Sequence, residues 1–260
     1  MKYKKERNES TYNLFAVLTV VISVIIWEMV VRLGFGGIVP APSLLFKTFV
    51  TKLTDTKPDG STLMKNVIVS LQVACTGLFL AIFIGVPLGW LMGWYQPIDR
   101  FVRPIFEFVR PIPPIAWIPL TILWIGIGLK AKAMIIFLAS FIPCLINAYT
   151  GIKETNKTMI NVAKTFGASN FRVFLSVAIP SSMPLTFTGI RIALNSAWST
   201  LVAAELLAAN AGVGYMISMG RSFSRIDIII VGMITIGIMG FIFSWFFKKI
   251  EDIVVKWRTV

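Results

Sequence analysis

The chain has 260 residues, of which 56% are hydrophobic and 14% are charged, and its mean hydropathy is +0.79. A soluble domain of average composition carries about 25% charged residues, so this composition excludes a water-soluble protein and indicates an integral membrane protein. The net charge of +13 is typical of the Lys and Arg residues that collect in cytoplasmic loops of membrane proteins. It is accompanied by no nucleic-acid-binding motif.

The N-terminal segment is basic and polar up to Tyr12, and an apolar run follows from Leu14 to Val31. That run is too long for the core of a signal peptide and lacks a small-residue cleavage site, so it predicts a retained first membrane helix. Further on, the pattern predicts a short amphipathic helix from about Ser43 to Leu53 and a polar external loop from Thr54 to Gly60.

Six apolar stretches are long enough to cross a bilayer. They lie at about 13–34, 70–94, 104–127, 133–152, 185–209 and 227–248. Six spans place both termini on one side of the membrane, and that side holds 15 Lys and Arg residues against eight on the other. The excess predicts that both termini are cytoplasmic, together with the polar segment between the fourth and fifth spans.

The second span carries Gly85, Gly89 and Gly93 at four-residue spacing. Such spacing is typical of a face on which another helix packs closely, although glycines scattered by chance along a membrane helix give the same pattern. The two cysteines, Cys75 and Cys144, both fall inside apolar runs and are interpreted as small buried hydrophobic residues.

Prolines interrupt the third span between Arg110 and Pro119, where four of them fall within nine residues. Each removes a backbone donor and crowds the preceding turn, so a regular helix cannot continue through them. Non-helical backbone at membrane depth survives only against protein or a water-filled path. The break therefore either lines a translocation pathway or forms the first turn of the span.

The polar segment between the fourth and fifth spans predicts a helical hairpin. Its first helix runs from about Thr155 to Phe166 and has an apolar face formed by Met159, Val162, Ala163 and Phe166. Gly167 stands where a left-handed C-terminal cap is needed, and Ser169 is a suitable N-cap for the next helix. We expect that helix to end at Pro180. Periodicity alone also fits a helix pair that lies on the lipid headgroups.

The hairpin resembles the EAA loop of the permease subunits of binding-protein-dependent ABC importers. In that family's pattern, Glu-Ala-Ala is followed after three residues by Gly and then by a distal Ile-Pro. Ala163, Gly167 and the pair Ile179-Pro180 match, whereas Asn161 replaces the Glu and Val162 the first Ala.

Five further segments resemble the nitrate, taurine and alkanesulfonate branch of that family. They are Val39-Pro-Ala-Pro-Ser43, Arg110-Pro-Ile-Pro-Pro-Ile-Ala-Trp-Ile-Pro119, Trp124-Ile-Gly-Ile-Gly128, Gly189-Ile-Arg-Ile-Ala193, and Ala204-Glu-Leu-Leu207 followed by Gly212-Val-Gly-Tyr215. Each segment alone is weak evidence of this family, but the five together, in this order and at this spacing, make the resemblance strong.

The resemblance implies an all-α permease of the bacterial cytoplasmic membrane with six transmembrane helices and both termini inside. It implies a single permease domain over 1–260, with the first span at 1–35, the core at 66–250 and a cytoplasmic coupling hairpin at 153–182. Such permeases are homodimers whose coupling helices insert into two ATPase subunits, while an extracytoplasmic solute-binding protein delivers the substrate. The implied coupling residues are Ala163, Phe166, Gly167, Ala168, Ser169 and Phe171. The chain has no phosphate-binding loop of the G-x-x-x-x-G-K-[ST] type, so no cofactor is expected here and ATP and magnesium are expected on the separate ATPase subunit.

Ionisable side chains at membrane depth are costly and are candidates for function. Glu28 is four residues before Arg32 and can pair with it on a helix, and Glu107 can pair with Arg110 in the same way. Arg191, near one end of the fifth span, is interpreted as snorkelling to the interface.

The candidates for the pathway or gate come partly from these patterns and partly from the resemblance, which places the fifth helix beside the translocation route. They are Pro113, Pro114, Trp117, Trp198, Ser199 and Glu205. Glu205 lies toward the outer end of the fifth span, about 21 Å along the helix from Arg191, so the two cannot pair within that helix. Two alternatives stay open for Glu205: a role in the gate or in docking of the binding protein, and a structural hydrogen bond to a neighbouring helix.

We therefore expect a transport subunit and not an enzyme, which carries a small anion such as a sulfonate, taurine or nitrate. An alternative within the family is uptake of a neutral or aromatic nutrient, such as a thiamine-precursor pyrimidine or riboflavin. A stand-alone secondary transporter or channel would show an inverted repeat and a charged relay at mid-membrane, and the sequence shows neither. A membrane-embedded enzyme would need a metal cluster or a nucleophile with its base, which the sequence also does not show.

Overall fold

The computed structural model describes residues 2–208 and 210–254, and this part of the chain contains helices and turns but no β-strand. The helices are α1 (Lys2–Arg32), α2 (Pro42–Lys52), α3 (Leu63–Trp94), α4 (Gln96–Val109), α5 (Ile118–Ile125), α6 (Leu129–Lys153), α7 (Lys157–Thr165), α8 (Asn170–Val173), α9 (Ile179–Ala208), α10 (Val213–Ser222) and α11 (Ile226–Val254). A 3₁₀ turn at Pro114–Trp117 precedes α5, and a π turn at Phe174–Ala178 joins α8 to α9.

Four helical elements of the described residues are long and apolar enough to cross a membrane, namely Leu63–Trp94, Leu129–Lys153, Asn170–Leu207 and Ile226–Val254. They contain the second, fourth, fifth and sixth spans that the sequence predicts. The first predicted span lies within α1, which is not among these four, so the count of six and the orientation stay predictions.

The third predicted span is broken at its prolines, as the sequence predicts. Gln96–Val109 and Pro114–Ile125 together are apolar enough to cross a membrane, but they meet at an angle of 85°. Pro113 precedes Pro114 and takes φ −57° and ψ 135°, the extended conformation to which a residue before proline is restricted. The prolines therefore end α4 and force the chain to restart in a new direction.

The chain divides into two compact units, of which the smaller comprises Met1–Leu63 and Met216–Ile234. Here α2 starts with Pro42 in its first turn, and the Glu28 carboxylate accepts hydrogen bonds from the Ser43 backbone N–H at 3.0 Å and the Ser43 hydroxyl at 2.8 Å. Glu28 also pairs with Arg32 at 2.7 Å, which confirms the predicted pair. The predicted short amphipathic helix is confirmed as α2.

The larger unit comprises Met64–Tyr215 and Thr235–Val260, and its core forms where α3, α6 and α9 pack together. Buried residues of this core include Val73, Ile136, Cys144, Ala193 and Leu201. The predicted glycine face is confirmed, because a Cβ at Gly85 would lie 3.2 Å from the Cβ of Cys144 and one at Gly93 would lie 2.7 Å from that of Ile152. The sequence predicted the glycine face but not its partner, which is α6.

The packing of α9 on α6 uses two small residues that the sequence analysis did not single out. A Cβ at Gly151 would lie 2.9 Å from the Cβ of Ser182, and one at Gly189 would lie 2.9 Å from the carbonyl oxygen of Pro143. Small residues let helix backbones approach closely in membranes, where dispersion contacts replace the hydrophobic driving force. This close contact fixes α9, the helix that continues from the predicted hairpin.

Candidate functional site

The first helix of the hairpin (153–182) is α7. Its C-terminal cap at Gly167 is the predicted one, whereas the N-cap at Asn156 was not predicted. The Asn156 side chain accepts a hydrogen bond from the Thr158 N–H at 2.8 Å. At the other end Gly167 takes φ +81°. The Gly167 N–H donates to the Lys164 carbonyl at 2.9 Å and the Ala168 N–H donates to the Ala163 carbonyl at 3.1 Å. This pair of bonds is the Schellman motif, which requires a left-handed residue after the helix and so favours glycine.

The second helix of the hairpin begins as predicted but does not end as predicted. The Ser169 hydroxyl accepts from the Arg172 N–H at 3.3 Å and so caps α8. The helix does not end at Pro180, so that prediction is wrong. Instead α8, the π turn and α9 form one continuous helical element of 38 residues, Asn170–Leu207. Pro180 is the second residue of α9, and the wider bonds of the π turn interrupt the regular ladder in which a missing N–H would be costly.

The tip of the hairpin presents apolar side chains to its surroundings. Phe166 is 87% exposed and Phe171 is 61% exposed, and Met159 and Val162 are also exposed. Ser169 is exposed, whereas Ala163 and Ala168 are half-buried. A groove of about 820 Å³ runs between α7 and the start of α9, with Met159, Val162, Ala163, Val177, Pro180 and Pro184 among its walls. The structure therefore brings the six predicted coupling residues together around one turn.

One aromatic side chain anchors the hairpin to the membrane helices. Phe174, in the π turn, is 5% exposed, and its ring centroid lies 5.7 Å from that of Trp94 and 5.8 Å from that of Tyr95. Ile152 and Ala178 are buried in the same cluster. The hairpin is thus fixed to the ends of α3 and α6, while its tip stays open.

Two of the predicted pathway residues, Pro114 and Trp117, line an apolar cavity of about 250 Å³ against α4 and α6. Pro113 is exposed and does not line it. Trp198, Ser199 and Glu205 are not among its walls either. Of the six predicted pathway residues, only Pro114 and Trp117 therefore line this cavity, and a shared pathway stays a prediction.

Trp198 and Ser199 occupy α9 and differ in environment. The Trp198 indole N–H donates to the Ile236 carbonyl of α11 at 3.2 Å, and its ring stacks on Phe243 with centroids 5.9 Å apart. The Ser199 hydroxyl is exposed and donates to the Asn195 carbonyl one turn back at 3.0 Å. Trp198 therefore joins two helices, and Ser199 is open for contact.

Glu205 is buried in a hydrogen-bonded network and is only 1% exposed. The Ser70 hydroxyl of α3 lies 2.8 Å and 2.9 Å from its two carboxylate oxygens, and the Gly214 N–H donates to it at 2.9 Å. The Val213 N–H donates to Ser70 Oγ at 2.9 Å, and the Gly212 N–H donates to Asn66 at 3.1 Å. The carboxylate thus holds the turn before α10 against α3, which supports the structural alternative for Glu205.

A second polar group beside Glu205 is Lys132 of α6, which is 5% exposed and donates to the Ala211 carbonyl at 3.3 Å. Sequence reasoning missed Ser70, Asn66 and Lys132. Ser70 is 135 residues from Glu205, so no local pattern signals the contact. The glycines after Glu205 were the one available signal that the chain packs closely on Glu205. A Cβ added at Gly214 would lie 2.6 Å from the Glu205 Cβ.

The interpretation of Arg191 as a snorkelling residue is incomplete, because its guanidinium pairs with the carboxylate of Glu251 on α11. The Glu251 side chain is 9% exposed and that of Arg191 is 51% exposed. The predicted pair of Glu107 and Arg110 is confirmed at 3.7 Å, with both side chains about half exposed.

Several helices long and apolar enough to cross a membrane, packed into a close core, are typical of a multi-pass membrane protein. The family model described as "Binding-protein-dependent transport system inner membrane component" matches residues 85–259. The chain therefore belongs to this family of ABC importer permeases.

The chain is similar to individual permeases over most of its length. A protein of Methanocaldococcus jannaschii named as an ABC transporter permease is 36% identical over 241 residues, which are 92% of this chain and 90% of the relative. The taurine transport system permease protein TauC of Escherichia coli is 34% identical over 209 residues, or 79% of this chain and 76% of TauC. A permease named for aliphatic sulfonates in Bacillus subtilis is 29% identical, and one named for nitrate in Synechocystis is 28% identical. One named for formylaminopyrimidine in Halalkalibacterium halodurans is 31% identical. Each of these matches covers at least 90% of this chain and 85% of the relative. These relatives support the branch that the sequence resembles.

The fold agrees with this membership. A chain of the MetNI methionine ABC transporter in an inward-facing conformation has a TM-score of 0.63 to this chain at 19% sequence identity. The match covers 74% of this chain and 96% of the other.

Proposed function

We propose that the chain is the membrane subunit of an ATP-driven importer and forms the substrate pathway with a second copy of itself. In this proposal it has six spans with both termini in the cytoplasm of a bacterial cell, in the cytoplasmic membrane. Two ABC ATPase subunits bind its cytoplasmic face, and a solute-binding protein docks on the opposite face. The family membership and the excess of Lys and Arg on the proposed inner side support this arrangement.

The observation that carries the proposal is the tip of the hairpin. Phe166 is 87% exposed and directly precedes Gly167, which has φ +81°. A large apolar side chain that is so exposed contributes little to the stability of the fold and is typical of a surface that a partner covers. We assign Ala163, Phe166, Gly167, Ala168, Ser169 and Phe171 to contact with the ATPase subunit. Asn161 stands where the EAA pattern has Glu, so this contact lacks one of the family's carboxylates.

The same hairpin can pass the movement of a partner on to α9. Phe174 fixes it between the ends of α3 and α6, and its second helix continues into the long helix that ends at Leu207. A rigid element joined to a membrane helix in this way converts movement of a partner into rotation of that helix. In our proposal, closure of the ATPase dimer on ATP moves α9 and so opens or closes the pathway.

Residues of α9 and of the proline break are our proposal for the lining of the pathway. Ser199 is exposed, and its neighbour Trp198 is held by α11. Pro113, Pro114 and Trp117 lie at the bend where the third predicted span restarts. Glu205 contributes by fixing the turn before α10, which we place near the outer end of the pathway.

For the substrate we propose a small anion such as taurine, another sulfonate or nitrate, because relatives carry those names. The relative named for formylaminopyrimidine supports a neutral aromatic nutrient as the second candidate. A thermal-shift screen of the partner binding protein separates the two. A rise in its melting temperature with a sulfonate or nitrate supports the first, and a rise with a pyrimidine alone supports the second.

The coupling role is tested with Phe166→Ala in the complete importer, reconstituted with its ATPase subunits and binding protein. Truncating so exposed a side chain leaves no cavity, so thermal stability should not change. We expect the substrate-dependent stimulation of ATP hydrolysis to fall at least about tenfold, as for the loss of an aromatic anchor at an interface, which costs roughly 2 kcal/mol.

Phe35→Ala is the matched control, because Phe35 is 82% exposed and lies outside the hairpin, on the proposed outer side. It should leave stimulation unchanged. Equal stimulation in the Phe166→Ala and Phe35→Ala importers would reject the assignment of the hairpin tip as the ATPase contact.

A further inference from the structure

Two neighbouring cavities lie between α4 and α6, and Phe106 belongs to the walls of both. The first is the cavity of about 250 Å³ whose lining side chains are all apolar, with Val102, Val109 and Ile142 among them. The second encloses about 210 Å³ and has mixed walls, in which apolar residues accompany the polar side chains of Arg103, Glu107, Arg110, Tyr149 and Thr150. We call the two together the α4–α6 groove.

The polar end of the groove offers hydrogen-bond donors that the described protein does not use. Arg103 donates through Nε and Nη2 to Asp99 and through Nη2 to the Tyr149 hydroxyl. Within the described residues its Nη1 has no acceptor. Arg110 comes no nearer than 3.7 Å to Glu107.

In the pair of Asp99 and Arg103 the cation lies outward. The Asp99 side chain is 14% exposed, whereas that of Arg103 is 46% exposed. Lys153 lies 5.6 Å from the centroid of the Tyr149 ring and, in the described part of the chain, has no carboxylate within 4.0 Å. The exposed cations at this end, Arg103, Arg110 and Lys153, outnumber the one exposed carboxylate of the cavity wall, Glu107, whose side chain is 54% exposed. The accessible surface is therefore cationic in balance.

The order of the two cavities along α6 matches the length of one membrane leaflet. Tyr149 borders the polar cavity and lies one turn before the end of α6, and Phe137 borders the apolar cavity. The two residues are twelve positions apart, which is about 18 Å of helix and close to half of the roughly 30 Å hydrocarbon core. The groove thus presents charge at the end of a membrane helix and an apolar cavity toward the middle.

We propose that the α4–α6 groove binds one anionic phospholipid. Its phosphate lies at Arg103, Arg110 and Lys153, and one acyl chain enters the apolar cavity. Basic pockets between transmembrane helices on the cytoplasmic side are suited to anionic headgroups, and the proposed topology places this end of α6 in that leaflet. Guanidinium groups bind phosphate by paired hydrogen bonds. Phosphatidylcholine carries the same phosphate, but its choline cation cancels that charge, so a cationic site favours a lipid with a net negative charge.

A lipid fits the groove better than a second copy of the chain does. Phe101, Ile105 and Phe108 on the outer side of α4 are 76%, 61% and 78% exposed and form an apolar border around the opening. A protein face laid across that border would leave the narrow cavity behind it empty, and protein interfaces pack without such voids. A flexible chain of methylene groups can enter the cavity and fill it.

Native mass spectrometry of the purified full-length chain tests the proposal, with phosphatidylglycerol and phosphatidylcholine of the same acyl chains as probes. We expect phosphatidylglycerol to bind more tightly. Arg103→Gln and Arg110→Gln should each weaken it about fivefold, as for one cation at a membrane surface, and should weaken phosphatidylcholine less, so that the preference for phosphatidylglycerol falls. Val109→Trp, which fills the apolar cavity, should weaken both lipids.

Arg100→Gln is the matched control, because Arg100 lies on the same helix, is exposed and does not line the groove. It should bind phosphatidylglycerol as the unaltered chain does. Equal loss in Arg100→Gln and Arg103→Gln would overturn the proposal, since general surface charge would then explain the preference. Displacement of the lipid by millimolar inorganic phosphate would overturn it in favour of a simple anion site, and a disulfide between two copies of Ile105→Cys would overturn it in favour of a subunit interface.

Discussion

Substituting Gly89 with alanine tests the close packing of α3 on α6. A Cβ at this position would overlap the carbonyl oxygen of Leu145, and it would lie 2.9 Å from the Cβ of Ala148 and 3.1 Å from the backbone nitrogen of Tyr149. None of these atoms can rotate away, so the two helices must separate. Overpacking of this kind costs about 1–3 kcal/mol, and the better helix propensity of alanine returns at most about 1 kcal/mol.

The net loss of roughly 1–2 kcal/mol corresponds to a fall of about 2–8 °C in the melting temperature for a domain of this size. The assay is thermal unfolding in detergent, followed by the fluorescence of the eight tryptophans. Gly237→Ala in α11 is the matched control, because a Cβ there meets no atom within 4 Å, and its melting temperature should stay or rise. If Gly89→Ala and Gly237→Ala unfold at the same temperature, the close contact between α3 and α6 does not exist.

Three further changes follow from the described contacts. Glu205→Ala leaves two buried donors without an acceptor and should lower stability by about 2–6 kcal/mol. Glu205→Gln keeps one acceptor oxygen and should keep most of the transport. A large loss of transport by Glu205→Gln in a normally assembled importer would favour a direct role in the gate. A double-mutant cycle with Arg191→Gln and Glu251→Gln should give a coupling energy of about 1 kcal/mol in the thermal unfolding assay, and strictly additive effects would mean that the pair does not form. Trp198→Phe keeps a stacked ring but loses the indole donor, so stability should fall by about 0.5–1.5 kcal/mol. A fall as large as that of Trp198→Ala would show that the substitution disturbs the ring packing and not only the hydrogen bond.

The features that the sequence predicts well depend on neighbours within a few residues. The caps at Gly167 and Ser169 are examples, because both are made by hydrogen bonds that reach three to five residues along the chain. The glycine face of α3 is another, since its spacing follows from helix periodicity. In each case the local pattern and the tertiary packing require the same residue type.

The features that the sequence does not predict depend on distant partners or on irregular turns. Ser70 meets Glu205 across 135 residues, and Arg191 meets Glu251 across 60, so nothing near either residue signals its partner. The sequence predicts that a helix ends at Pro180, because proline has no backbone N–H to donate to the regular α-helical hydrogen-bond ladder. The π turn before it changes that ladder, and such turns carry no simple sequence signature.

The central claim, that this chain moves substrate only when an ATPase drives it, is tested most directly by substrate uptake into proteoliposomes. The purified chain is compared alone and together with its ATPase subunits, its binding protein and ATP. We expect uptake only in the complete system, and we expect it to stop when ATP is omitted. Uptake by the chain alone, at a rate that ATP does not change, would contradict the claim and would indicate a channel or secondary transporter.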